Sequence, residues 1–301
     1  MRFPKHIPGR PALQGPLALR EESCDIGGMK RVITSFVLTL AVFAGCATRD
    51  SSALLVLHES AVLLGRATEA AVEGAVALVD DNSVQKACEG DIEALEGMLL
   101  VQSGTHGLAP GDRGLPGAVS EAGRSTADAA YSLSRYTSLL SMLTEPSGAT
   151  RAIWNIASMP LSGPLAAAAA VLAEQGVLER DTERLRQAMR SAAPGVDSLC
   201  ATASSALGNI SLAVMAAYQD MSARLLRRIV ATGNPEAQVR ELLALNSRAT
   251  AILCGLEKAR AAWTALGAAH RETASALGSG ALSVSLMELL ERMGEFEHGP
   301  R

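Results

Sequence analysis

The stretch LLALNSRATAILCGLEKARAAWTALGAAHRETASAL, residues 242–277, decides the fold. Within it Leu242, Leu245, Ala249, Ile252, Leu256, Ala259, Trp263, Leu266, His270, Thr273 and Leu277 keep strict three-four spacing for five heptads. Such a pattern is one apolar seam on a long helix. Upstream, Leu199, Ala203, Leu207, Ile210, Val214, Ala217, Met221 and Leu225 form a matching seam. Between the two lies Gly233-Asn234-Pro235, a helix stop, an N-cap and a first-turn proline in consecutive positions. The pair reads as an antiparallel hairpin with coiled-coil-like packing, each arm roughly 50–65 Å long.

The rest of the chain is read outward from that hairpin. Leu54, Leu57, Ala61, Leu64, Thr68, Ala71, Ala75 and Leu78 repeat at helical spacing. Asp80-Asp81-Asn82-Ser83 is expected to end this helix and cap another, with Val84, Cys88, Ile92, Leu95 and Leu99 turned inward. Ser103 to Gly117 is a Gly- and Pro-rich loop, followed by a helix over about 118–144 that buries Val119, Ala122, Leu133, Leu140 and Leu143. Short helices are expected around Trp154 and over Leu165–Gln175, then a charged amphipathic piece over 177–192. A final amphipathic helix spans 282–295. No segment reads as a strand. The expected fold class is all-α, an antiparallel up-and-down helical bundle dominated by the hairpin.

The segment before this body has a different character. Lys30 and Arg31 precede a mostly apolar run from Val32 to Ala44, and Ala44-Gly45 stands directly before Cys46. The run has the length of a secretory h-region and falls short of the ~20 residues that span a bilayer. Residues 29–46 resemble the signal peptide and lipobox of bacterial lipoprotein precursors, with Phe43 where the pattern usually has an aliphatic residue. The resemblance implies lipidation at Cys46, cleavage before it and attachment to the cell envelope. Ala47 rather than Asp after the cysteine implies the outer membrane, on its periplasmic face.

Residues 1–28 carry Pro4, Pro8, Pro11 and Pro16 with no period, so Met29 is expected to be the true start and 1–28 an upstream non-native extension. The organisation is therefore 1–28 extension, 29–45 signal peptide, 46–193 N-terminal part of the bundle and 194–301 hairpin plus C-terminal helix.

Charge and composition narrow the function. From Cys46 onward 21 basic residues face 28 acidic ones, without a basic tract, so nucleic acid is not an expected partner. Only Tyr131, Tyr136, Trp154, Tyr218, Trp263 and Phe296 are aromatic there, too few for a stacking platform. After Cys46 no apolar run long enough to cross a membrane is expected. Cys88, Cys200 and Cys254 have no metal-ligand spacing. With the turn at 233–234, Cys200 lies level with residue 267 and Cys254 with residue 213, about 20 Å apart along the axis, too far for a bridge. A pairing of Cys88 with either stays open.

No constellation carries chemistry. Glu295-Phe296-Glu297-His298 is the only Glu-x-x-His, at a chain end, where di-iron bundles need two. Ser204 and Ser205 lack a nucleophile elbow, and the 104–117 glycines lack a Gly-Lys-Ser/Thr ending. His270, on the seam, is the one candidate beyond Cys46: a packing histidine, or a pH-responsive one. Neither an enzyme nor a cofactor is expected. The sequence points to a lipid-anchored structural or adaptor module holding an envelope protein. The alternative is a carrier or sensor of a small apolar ligand between helices. An exposed apolar stripe favours the first and a closed apolar pocket the second.

Overall fold

The computed structural model of the protein describes residues 49–90, 114–142, 182–231, 235–279 and 283–297. All lie in the second of the two units, 1–45 and 46–301, into which the chain divides. They form five helices: α1 (Arg49–Cys88), α2 (Gly114–Met142), α3 (Thr182–Ala231), α4 (Glu236–Ala276) and α5 (Val284–Glu297). Among the described residues there is no strand, and the all-α bundle expected from the seam spacing is the observed fold.

The hairpin has the register that its two seams dictate. A methyl group placed on Gly267 would sit 3.7 Å from the Cys200 sulfur, so residue 200 faces residue 267. Arg271 pairs with Asp197 on the same level, and the Tyr218 hydroxyl donates to Asn246 Oδ1 at 3.0 Å further along. Cys88, Cys200 and Cys254 are unpaired thiols. Leu256, Ala259, Trp263, Leu266 and Leu277 are buried, as are Leu207, Ile210, Val214 and Ala217 on the facing arm.

Three contacts one heptad apart set α1 antiparallel to α2. His58 meets Thr137, a Cβ on Gly65 would stand 3.3 Å from Ala130 Cβ, and one on Gly123 would stand 2.8 Å from Val72 Cγ1. The two glycines let the backbones come closer than ordinary side chains allow. Lys86–Asp220 (2.6 Å) sets α3 parallel to α1. Trp263 Nε1 donating to Thr68 Oγ1 (3.0 Å) and Arg248–Asp81 (2.6 Å) set α4 antiparallel to it. With α2 also packed on α3, α1 to α4 make an up-down-up-down four-helix bundle. α5 folds back on α4 and touches α1. Ser283 Oγ caps it by accepting the Leu286 N–H at 3.2 Å.

Four boundaries differ from the sequence reading. α1 does not stop at Asp80–Ser83. The Ser83 hydroxyl donates back to the Val79 carbonyl at 3.1 Å, and Asn82 Oδ1 accepts from the buried Arg224 guanidinium. With both cap side chains engaged, the backbone continues to Cys88. The inward face therefore passes through Asn82 and Ser83, while Val84 (47 % exposed) and Cys88 turn to solvent. Termination falls to Gly90, whose φ of 98° breaks the helical backbone.

α3 likewise runs through Pro194, across the 193/194 division drawn from sequence. Pro194 is exposed, so water can serve the Arg190 carbonyl that the proline leaves without a donor. Third, Arg49 to Ser52, ahead of the pattern that begins at Leu54, already belong to α1, and fourth, Gly114 to Gly117, expected in a loop, already belong to α2. Ile92, Leu95, Leu99, Leu143, the 154 and 165–175 helices, Asn234, His298 and everything before Arg49 lie outside the described residues.

α3 also holds the one apolar window among the described residues that is long enough to cross a membrane by composition, 18 residues with mean hydropathy 1.5. The expectation that no such run follows Cys46 is corrected to that extent. Its alanines raise the mean while Ser and Gly interrupt any long run of large apolar residues, and Leu207, Ile210 and Val214 of α3 are spent on the bundle seam.

Candidate functional site

His270 sits at the centre of a buried polar layer. It is 1 % exposed, and its Nε2 shares a 3.0 Å hydrogen bond with the hydroxyl of Tyr136, itself fully buried. The two rings are tilted at 55° with centroids 5.6 Å apart. The heptad explains the pairing. Trp263, one heptad back on α4, finds Thr68 on α1; seven residues before Thr68 stands Ala61, which offers no polar atom. His270 turns to α2 instead.

Its other nitrogen, Nδ1, has no partner, and neither do the buried hydroxyls of Ser60 and Thr273. Burial, reinforced by the Arg271 charge, pushes the His270 pKa down to about 4, so the ring is neutral at pH 7. Burial also raises the Tyr136 phenol, which stays protonated. Nearby, His58 Nδ1 shares a 3.1 Å hydrogen bond with Thr137 Oγ1, whose hydroxyl also reaches the Leu133 carbonyl. Burial lowers the His58 pKa, opposed by Glu59.

These groups fix which helix faces which. The described residues contain no cluster of three metal-ligating side chains. Of the candidates named from sequence, the structure places His270 on the seam, while Cys46 lies outside the described residues. Sequence reasoning missed Tyr136 and Thr137, although Leu133, Tyr136 and Leu140 keep the three-four spacing that would have drawn Tyr136 inward. A second buried polar centre was also missed: Arg224, 6 % exposed, reaches Asn82, with Glu89 3.8 Å from its Nε.

Two surface features complete the picture. Met215, Leu226, Val230, Val239 and Leu243 are exposed, Val230 at 89 %. Met215, Leu226 and Leu243 each follow a seam position, Val230 and Val239 follow the half-buried Ile229 and Gln238 at the tip, and in an antiparallel pair the positions after the seam turn to the same side on both arms. The Tyr218–Asn246 bond, which joins the residues after Ala217 and Leu245, bridges that side. The positions before the seam, Ala206, Ala213, Ala262 and Ala269, are buried against the bundle. The hairpin thus carries an outward apolar face concentrated at its tip. A groove of about 860 Å³ runs between α1 and α2, from Ala61 to Asp80 on one side and Gly123 to Ser134 on the other.

No family model matches this chain, and neither a curated protein nor a solved structure does.

Proposed function

We infer that the protein is a lipid-anchored adaptor of the bacterial envelope, held by an acylated Cys46 and gripping a protein partner with the hairpin. The observation that carries this reading is the exposed apolar face of Leu226, Val230, Val239 and Leu243. Patches of this kind on a folded surface mark contact sites. Its position adds support. α1 begins three residues after Cys46 and runs for 40 residues, about 60 Å, to the level where Glu89 meets Arg228 of the hairpin. The start of α1 and the apolar tip therefore stand at opposite ends of the bundle. Two or three acyl chains hold a protein stably, where one binds only marginally. A carrier of apolar ligands calls for an enclosed apolar cavity, whereas the groove on α1 and α2 is open and bordered by carboxylates.

The test combines palmitate labelling with photo-crosslinking in cells. Label should enter the chain and disappear in Cys46→Ala. Crosslinkers at positions 226, 230 and 243 should give discrete protein adducts, and one at position 190, near the anchored end, should not. Absence of label, or adducts that ignore position, would overturn the reading.

A further inference from the structure

The groove between α1 and α2 has a built charge pattern that the adaptor reading leaves unused. Its floor is apolar, with Val62, Val72, Val76 and Ala130. Its rim carries Glu69, Glu73 and Asp80 from α1 and Asp128 from α2, against the single cation Arg66. Among the described residues none of these four carboxylates has an ion-pair partner. This sets them apart from the hairpin end, where Asp81, Glu89 and Asp220 are all paired. Burial and the neighbouring Asp81 raise the pKa of Asp80, so a cation arriving there relieves an existing repulsion.

Dimensions choose the occupant. From residue 61 to residue 80 the groove is about 28 Å long. Spread over that length, its 860 Å³ leaves a cross-section of about 30 Å², room for one row of side chains but not for a helix body. Residues 69, 73 and 80 stand four and seven apart on one edge of α1, the spacing at which lysines recur on one face of a second helix. We propose that the α1–α2 groove seats a basic amphipathic helix of a protein partner, its apolar row in the floor and its lysines or arginines on the rim. The proposal rests on the adaptor reading for its setting, and adds a second contact surface distinct from the hairpin tip.

The probe is a 21-residue Leu/Lys amphipathic peptide, with a Leu/Glu peptide of the same apolar pattern as control. Binding is read by fluorescence anisotropy on the full chain in zwitterionic nanodiscs, with empty nanodiscs as blank. The Lys peptide binds and the Glu peptide does not. Glu69→Lys with Glu73→Lys weakens binding by about tenfold or more. Ala127→Trp fills the groove at an exposed position without changing charge, and weakens it comparably. Glu236→Lys with Glu241→Lys at the hairpin tip leaves it unchanged.

Equal loss from the tip pair, or indifference to Ala127→Trp, overturns the proposal, because binding is then generic charge attraction. Displacement of the peptide by spermidine at equal concentration also overturns it, in favour of a free polyamine. The two readings fail separately: crosslinks at the tip without peptide in the groove leave the adaptor standing, and peptide in the groove without acylation or crosslinks leaves only the groove.

Discussion

Acid should loosen this bundle through His270. The ring is buried and neutral, with a pKa of about 4 against 6.5 in an exposed histidine. Because the folded-state value is depressed, the unfolded chain binds the proton first. The stabilising contribution is complete above pH 6.5 and is lost as the pH falls towards 4. That gap corresponds to about 3 kcal/mol at ~1.4 kcal/mol per tenfold change, with the slope approaching ~1.4 kcal/mol per pH unit.

The comparison variant is His270→Gln, which keeps a polar group for the Tyr136 hydroxyl and cannot titrate. Urea unfolding followed by circular dichroism at pH 7.5, 6.0, 5.0 and 4.5 gives the stability of each. The wild type should lose between about 2 and 3 kcal/mol more than His270→Gln across that range. His58 and the carboxylates titrate in both proteins and cancel in the difference. Parallel stability curves would refute the reasoning, because they would mean that the proton reaches His270 in the folded state as readily as in the unfolded one.

Two further outcomes follow from the packing. Gly123→Ala puts a Cβ 2.8 Å from Val72 Cγ1, whereas Gly208→Ala meets nothing within 4 Å. The first should lose about 1–2 kcal/mol and the second gain about 0.5–1 kcal/mol in thermal or urea unfolding. A thiol reagent at pH 8 should modify exposed Cys88 rapidly, and Cys200 only after denaturation, as read by peptide mass mapping. Cys200 is buried, and burial followed by the Asp197 charge pushes its pKa up to about 12.

What the sequence made legible was the part written as period. The seam from Leu242 to Leu277 gave the hairpin and its register closely enough to set residue 200 against residue 267. The helix ends were misread wherever a distant partner took over a local signal. Asp80–Ser83 has the composition of a cap, but Arg224, 142 residues away, claims Asn82. Pro194 reads as a boundary, yet the surface spares it the usual penalty. Tyr136 and Thr137 were overlooked because their polar atoms disguise an inward face, and only the neighbouring helices reveal what satisfies them. His270 could be placed on the seam from spacing alone. That it would lean on α2 follows from Ala61, a residue whose significance lies in what it lacks. Cys46 and the lipoprotein pattern rest on sequence alone.

The contacts between α1 and α2 recur every seven residues, and a repeating interface invites slippage. If α2 slid by one heptad, the helices would meet with the same rise and the same rotation, so geometry alone offers no objection. The identities of the contacts do. Slid one way, His58 would face Ala130 and forfeit its hydrogen bond to Thr137, while Gly65 would lose the Ala130 contact that seats it. Tyr136 would be carried past His270 at the same moment, stranding a phenol in the core. Three unlike marks on an even ruler thus leave one alignment, and the polar pairs keep the bundle from sampling its near copies.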